Sequence, residues 1–512
     1  MVYRMNKLNW IKAIYNQFFQ LFRKGKEEIS RSPFSDPPAP SAMHLSTETW
    51  IKQYEGKLLL RQEIDLPESI FQHYTKLQYF HAVPSIMKKF FSIQCRRCFN
   101  QDKAHFSVLP CKRCQKSHLY CRHCIEMGRV LDCEPLYEWK GPAYVWPEHK
   151  TPCSWQGHLT NAQKKAAQKI ALAIEKQRKL LVWAVTGSGK TEMLFSGIEQ
   201  ALQAGKRICI ASPRADVVRE LVPRVQAAFL NVSVQGLHAN SRDKTGTAQL
   251  IIATTHQLYR YYNAFDVLII DEIDAFPYHA DDTLKKAADR AGRTHHRAVI
   301  YLTATPRDKQ KWQMFNKTLP YTFVPTRYHG APLVIPQWKM QPSLVKKISK
   351  DMVPPFMSQW FLNRPPHRQV LLFIPTLSLL SISFSVFKAF LLKEKIITSA
   401  DQIAQVHAQD ASREEKIEAF RRREITVLLT TTILERGVTF PSIDVLVLDS
   451  SHPVFDEAAL TQIAGRAGRS ASDPKGQVLF FYQTKTKAMV RTNQSIREMN
   501  RLQKLLLQKG EL

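Results

Sequence analysis

The chain has 512 residues, with 73 Lys and Arg against 44 Asp and Glu, a formal net charge of +29. That length allows several domains with cores of their own, and that charge points to polyanions, nucleic acid first and an anionic membrane surface second. No run of 18 apolar residues occurs, so no transmembrane helix is expected, and clustered Cys-x-x-Cys pairs favour a reduced compartment and a metal over a disulfide framework.

Residues 1–30 place Leu8, Ile11, Tyr15, Phe18 and Phe22 at helical spacing among Lys7, Lys12, Arg23, Lys24 and Lys26. The pattern predicts a basic amphipathic helix, suited to a membrane surface or partner, or to packing on its own protein. Polar interruptions make it a poor secretory signal. Ser32–Ser41 is rich in Pro and Ser and reads as a linker, so residues 1–45 form a tail and linker.

Residues 46–155 are expected to form an N-terminal region around a cysteine module at about 91–135. Its pairs are Cys95/Cys98, Cys111/Cys114 and Cys121/Cys124. Thiolates two residues apart form a knuckle, and two knuckles complete a tetrahedral Zn²⁺ site. The outer pairs, Cys95/Cys98 with Cys121/Cys124, give a ribbon around residues 99–120. Pairing the first two knuckles gives a shorter loop. Cys111 and Cys114 are therefore alternates or, with Cys133 and Cys153 nearby, part of a second site. His118 and His123 are substitutes expected to face solvent. No open coordination position is required, so the zinc reads as structural. Arg96, Arg97, Lys103, Lys112, Arg113, Lys116 and Arg122 interleave with the cysteines, and Phe99, Phe106 and Tyr120 either stack bases or fill a core. Residues 45–90 carry no clear pattern, and Pro135–Gly157 reads as an irregular connector.

From Leu159 the chain alternates between helix and strand. Strands are expected at Leu180–Val185, Arg207–Ser212, Gln249–Thr254, Val267–Ile270 and Ala298–Leu302, with helices such as Lys190–Gln203 and Ala215–Phe229 between them. A Pro-containing segment, Pro320–Pro355, interrupts the alternation, which resumes with Val370–Ile374, Thr426–Leu429, Val445–Leu448 and Gln477–Phe481. The fold class is α/β: two tandem parallel-sheet lobes, residues 156–335 and 336–512, behind a small zinc-ribbon-like module.

Ala184-Val-Thr-Gly-Ser-Gly-Lys-Thr191 joins a strand to a helix in the manner of a phosphate-binding loop. Gly187 and Gly189 permit the tight turn that, with Thr186 and Ser188, points backbone amides at phosphate oxygens. Lys190 supplies charge and Thr191 a hydroxyl for Mg²⁺. Ala184 stands where the consensus has Gly. Asp271-Glu-Ile-Asp274 follows an apolar strand. There Asp271 is placed to hold Mg²⁺ and Glu272 to accept a proton from attacking water.

Residues 159–470 resemble, motif by motif, the core of a superfamily 2 helicase with RecA-like lobes. The resemblance implies ATP as cofactor and makes Gln163 an adenine contact. It makes Ser212-Pro-Arg214 and Thr254-Thr-His-Gln257 strand-contacting motifs, and Thr303-Ala-Thr305 the coupling motif. Phe373-Ile-Pro-Thr376, Thr430–Gly437 and Gln462–Arg469 resemble the second-lobe motifs. Gln462 then faces nucleotide, and Arg466 and Arg469, three apart on a helix, are arginine fingers for the γ-phosphate.

A Cys-pair module ahead of such a core, with Tyr120–Arg129 and Thr430–Phe440, is similar to the ComFA family of late competence proteins of Gram-positive bacteria. The similarity covers about residues 50–505. It implies a cytoplasmic ATP-driven motor, peripheral to the inner face of the membrane, that draws single-stranded DNA inward during natural transformation. The implied partners are ComEC, ComFC and DprA, and an oligomer is compatible with it. Primosomal restart helicases resembling PriA also combine Cys pairs with this motor, but insert them within the helicase region. A DNA-binding scaffold with a dead ATPase would lack Lys190, Glu272 or the arginines, and none is missing.

Overall fold

The computed structural model describes residues 48–111, 114–437 and 440–509. The expected amphipathic helix and Pro/Ser linker lie outside the described residues, as do Lys112, Arg113, Val438 and Thr439. The chain divides into Met1–Thr49 and Trp50–Leu512, and all of the sheets among the described residues belong to the second unit.

The N-terminal region builds three small antiparallel sheets. In the first, β8 (Leu136–Trp139) lies between β1 (Leu58–Leu60) and β2 (Phe80–Val83), with Phe80 opposite Trp139. Tyr54, Phe71, Tyr74, Phe80 and Trp139 pack edge to face or tilted over it, with ring centroids 5.1–6.3 Å apart. A hairpin pairs β3 (Ile86–Lys88) with β4 (Ile93–Cys95), and a third sheet runs β5 (Phe106–Pro110), β6 (Ser117–Cys121), β7 (Val130–Leu131). Ordered structure thus occupies residues 48–90 of the patternless stretch, and β8 lies in the expected irregular connector.

The first lobe is a seven-stranded, wholly parallel sheet. Its strands are β9 (Lys179–Ala184), β10 (Ile208–Ser212), β11 (Val234–Leu237), β12 (Leu250–Thr254), β13 (Val267–Ile270), β14 (Ala298–Thr303) and β15 (Tyr321–Val324), in the order β11-β12-β10-β13-β14-β9-β15. β10, β12 and β13 are buried along their whole length, as a parallel sheet covered on both faces requires. Alternation of period two sends Val182, Ile210, Ile252 and Ile269 to one face, against helices Asn161–Glu175, Lys190–Gln203 and Ala215–Ala228. It sends Leu181, Ile251, Leu268 and Ile270 to the other. There they share one continuous core with helix Asp282–Ala291 and with Cys95, Cys98, Cys121 and Cys124. The cysteine module therefore covers part of the first sheet.

The second lobe has six parallel strands, β16 (Gln337–Met340), β17 (Gln369–Phe373), β18 (Ile403–Val406), β19 (Val427–Thr430), β20 (Ile443–Val447) and β21 (Val478–Tyr482), ordered β16-β21-β20-β17-β19-β18. The α/β class with two parallel-sheet lobes is the expected one. Every strand expected from the sequence is found within two residues. The expectation omits β11, β15, β16 and β18, two of which lie in the Pro-containing segment between the lobes.

Candidate nucleotide site and metal centre

β9 ends at Ala184, and the chain turns through Gly187 (φ +78°) and Gly189 (φ +71°) into helix Lys190–Gln203. These left-handed backbones suit glycine, and a Cβ on Gly189 would stand 2.6 Å from Gln163 Nε2. The turn leaves the first amides of a fourteen-residue helix directed at the loop. Lys190 Nζ donates to the carbonyls of Ala184 (2.8 Å) and Val185 (3.2 Å). Burial lowers its pKa, and Asp271, Asp274 and Glu272 act against that shift.

Gln163 links the lobe's first helix to this loop. Its Oε1 accepts from Thr160 N–H (2.7 Å) in a capping box, and its Nε2 donates to Ser188 O (2.8 Å). One lone pair and one N–H remain for a ligand.

Past the end of β13, Asp271 accepts from the Glu272 amide at 2.8 Å, and Glu272 has a left-handed backbone, φ +53°. Such a conformation costs a non-glycine residue about 1–3 kcal/mol and concentrates at functional sites. Burial, then the neighbouring Glu272, pushes the Asp271 carboxyl up to about 7.

Asp274 has the opposite character. Its carboxylate accepts from Thr303 Oγ1, Thr305 Oγ1 and Arg436 Nη2, each at 2.6 Å. Burial works to raise its pKa, but the Arg436 charge and these hydrogen bonds hold it near 2. Arg436 belongs to the second lobe, so the Thr303–Thr305, Asp271–Asp274 and Thr430–Gly437 motifs meet at one buried carboxylate. Sequence reasoning quoted both residues inside motifs but gave neither a role. Nothing in one sequence shows that residues 162 apart are paired.

Lys190, Thr191, Asp271, Glu272, Gln163, Gln462, Arg466 and Arg469, with Thr186–Gly189, all line a single cavity of about 430 Å³ between the lobes. Trp155, Glu220, Arg224 and Tyr328 line it too and were not anticipated. Arg466 Nε donates to Glu435 O and Arg469 Nε to Gly465 O, both at 3.0 Å. The two arginines do not share a helix face as expected. Helix Glu457–Ala464 ends before them, and they sit in the turn of Gly465 and Gly468 (φ +63°). Arg466 Nη1, Glu272 Oε2 and Ser188 Oγ are buried without a hydrogen-bond partner among the described residues. Buried polar atoms in such a state suit a polar ligand.

Further contacts join the lobes: Arg214 with Ile433 O, Arg413 with Asp216, Arg327 with Gly468 O, and Arg307 with Asp456 at 3.0 Å. Arg214, expected to touch a nucleic-acid strand, is thus engaged across the lobe boundary. Gln257, from another expected strand-contacting motif, bonds Met127 Sδ (3.7 Å) and Arg260 (3.0 Å). Thr376 caps helix Leu377–Lys393.

Cys95, Cys98, Cys121 and Cys124 converge, each buried, with Cys95–Cys124 at 3.8 Å and Cys98–Cys121 at 3.6 Å between sulfurs. A tetrahedral Zn²⁺ with bonds of about 2.3 Å has sulfur–sulfur edges of about 3.8 Å. The outer pairs come together, not the first two. Arg290 of the first lobe donates to Arg96 O (2.7 Å) and lies 4.7 Å over the Phe99 ring. The other two expected stacking aromatics, Phe106 and Tyr120, are half-buried, and Phe106 packs against the shared core. Neither histidine faces solvent freely: His123 pairs with Asp281 (3.4 Å) and His118 with Asp132 (2.8 Å).

Residues 45–138 match the competence protein ComFA N-terminal domain. Residues 156–308 match the type III restriction enzyme res subunit, and 355–471 the helicase conserved C-terminal domain. The chain is 41% identical to competence protein ComFA of Bacillus subtilis (strain 168), over 87% of this chain and 93% of that one. It is 33% identical to competence protein ComFA of Streptococcus pneumoniae (strain R6), over 88% and 98%. Replication restart protein PriA of Haemophilus influenzae shares 29% identity over 26% of this chain and 22% of its own length. The fold is like that of Saccharomyces cerevisiae Dbp5 bound to RNA and ADP BeF3, with 16% identity, a TM-score of 0.50, and coverage of 68% of this chain and 93% of that one. No helix among the described residues is long and apolar enough to cross a membrane. The chain belongs to the ComFA family and is a competence-related, helicase-like, ATP-hydrolysing enzyme that binds DNA.

Proposed function

We propose that this ATPase is a single-stranded DNA translocase that drives DNA import during natural transformation. The observation that carries the reading is the cavity between two parallel-sheet lobes, whose acidic wall is tied through Asp274 to Arg436 of the other lobe. Nucleotide held there is sensed by both lobes, so its hydrolysis changes how they sit on a strand. Family membership adds the setting. The PriA-type reading is the weaker one, since that likeness spans about a quarter of this chain.

In this mechanism Gln163 orients the base and the Thr186–Gly189 amides cradle phosphate oxygens. Lys190 exchanges its two loop carbonyls for phosphate charge. The oxygen donors Thr191 and Asp271 fit Mg²⁺, which when bound neutralises phosphate charge. Glu272 accepts the proton of the attacking water, and Gln462, Arg466 and Arg469 face the phosphates from the second lobe. Four buried thiolates fit Zn²⁺ with no open position, so that metal holds structure. The organisation we assign is a tail to residue 45, a zinc-bearing region to 155, and lobes to 335 and 512. We place the enzyme at the cytoplasmic face of the membrane, working with ComEC, ComFC and DprA.

The test is ATP hydrolysis by the purified chain with single-stranded DNA, duplex, forked duplex or RNA. Stimulation by single-stranded DNA of any sequence is expected. Stimulation by forked duplex alone would move the assignment to replication restart, and a preference for RNA would discard both.

A further inference from the structure

Hairpin β5–β6 carries the four-thiol cluster at its base, where Cys121 faces Phe106. At its other end stands a second group of metal-ligating side chains. We propose that Cys111, Cys114, Cys133 and Nε2 of His118 form a second zinc centre, with Asp132 orienting the imidazole.

Three observations converge. The first is backbone form. In the Cys95–Cys98 turn, Phe99 N–H donates to Cys95 O (2.9 Å), Cys95 N–H donates to Asn100 O (3.0 Å), and Phe99 has φ +64°. In the Cys111–Cys114 turn, Gln115 N–H donates to Cys111 O (2.8 Å), Cys111 N–H donates to Lys116 O (2.9 Å), and Gln115 has φ +56°. The second turn repeats the first bond for bond, including a left-handed non-glycine residue directly after the second cysteine. A left-handed backbone is unfavourable for Phe and Gln, and each knuckle places one at the same position, directly after its second cysteine.

The second is side-chain convergence. The sulfurs of Cys111, Cys114 and Cys133 lie within 4.8 Å of one another, and Cys111–Cys133 is 3.9 Å. That matches the tetrahedral edge of about 3.8 Å. His118 Nε2 lies 3.0 Å from Cys114 Sγ, and His118, Asp132 and Cys133 bring their ligand atoms within 4.8 Å of one another. Strand pairing delivers these residues from three places. Ser117 faces Pro110 in the hairpin, and Asp132 N–H donates to Leu119 O (2.9 Å), which sets Asp132 and Cys133 beside His118.

The third is the outer partner. Asp132 Oδ1 lies 2.8 Å from His118 Nδ1, leaving Nε2 as the ligating nitrogen, and Lys88 holds the other carboxylate oxygen at 2.5 Å. A carboxylate on the far nitrogen of a ligating histidine fixes its tautomer and orientation. A donor set of three thiolates and one imidazole is a closed structural zinc type. The site has structural work to do, since the hairpin tip lies outside the shared core and exposes Val108 and Cys114.

The two centres differ in access. The first is buried on all four sulfurs, while Cys114 is exposed and Cys133 half-buried in the second. Zinc in the full chain, purified under reducing conditions, should measure two per chain by elemental analysis. One equivalent should pass quickly to a chromophoric chelator, and the other only after the thiols are modified. C111S/C133S and H118A should each retain one, and H118C should restore two. Asp132→Asn should weaken the fast-exchanging ion about 10–100-fold. One zinc in the unaltered chain, or unchanged zinc content in C111S/C133S, would overturn the proposal. So would a Cys111–Cys133 disulfide found by mass spectrometry under these conditions. Basal ATP hydrolysis should persist in all these variants, so the outcome is separate from the translocase reading.

Discussion

Arg436 of the second lobe donates to Asp274 of the first at 2.6 Å, and each side chain is 1% exposed. The same carboxylate fixes Thr303 and Thr305 at the end of β14. Arg436 also lies 3.8 Å from Glu272. A change of charge at Glu272 therefore reaches the second lobe through one buried arginine. Removing one partner of such a pair costs about 3–5 kcal/mol, because the other charge is left buried and uncompensated. Arg436→Ala should keep ATP binding, measured by fluorescent nucleotide titration, while losing most of the stimulation by DNA. Unimpaired stimulation would show that coupling runs elsewhere.

Lys190→Ala should reduce turnover by on the order of a hundred- to a thousandfold, the usual loss for one charge-stabilising donor. DNA binding by the same variant should stay near normal in fluorescence anisotropy, since Lys190 Nζ hydrogen-bonds its own loop inside the cavity between the lobes. Glu272→Gln should bind ATP and hold it unhydrolysed, with a loss of about 10²–10⁴ expected for a general base. Near-normal turnover in either variant would remove these residues from the mechanism.

Gly465 sits where the second lobe touches the phosphate loop. A Cβ there would overlap the Thr186 side chain. Gly465→Ala should therefore hold the lobes apart without disturbing either core. The expected result is a raised KM for ATP and slower turnover at saturation, with the melting temperature little changed. Wild-type kinetics would mean that this close approach is not needed in the working cycle.

Much of this arrangement is legible in the chain. The central strands announce themselves because a parallel sheet buries both faces, giving runs such as Val267–Ile270. The four strands that went unseen, β11, β15, β16 and β18, are the four sheet edges. An edge has fewer covered positions, and β16 has none that are buried, so the apolar run is broken. The cavity residues are legible because local loop chemistry fixes them. Arg436 with Asp274, and Cys133 with Cys111, are long-range pairings created by the fold. Pro135–Gly157 hid β8 because its Pro and Trp residues mask a short strand whose pairing partners, β1 and β2, lie 50 residues or more upstream.

The four thiols Cys95, Cys98, Cys121 and Cys124 share one core with Leu268, Leu284 and Ala287 of the first lobe. Arg290 adds a hydrogen bond to Arg96 and a cation–π contact with Phe99, and Glu63 bridges Arg97 and Arg260 at 2.7 and 2.8 Å. Structural zinc contributes about 10–16 kcal/mol to folding in small modules, comparable to a whole domain's stability of about 5–15 kcal/mol. Removing a zinc held by these four thiols should therefore unfold the module and strip apolar cover from one face of the first sheet. Cys95→Ser should lower the first lobe's melting temperature by several degrees and expose that face to a hydrophobic dye. Bound ATP analogue should recover part of the loss, since it binds the folded state and not the unfolded one. A module that melts while the first lobe's transition stays in place would show that the sheet does not depend on this cover.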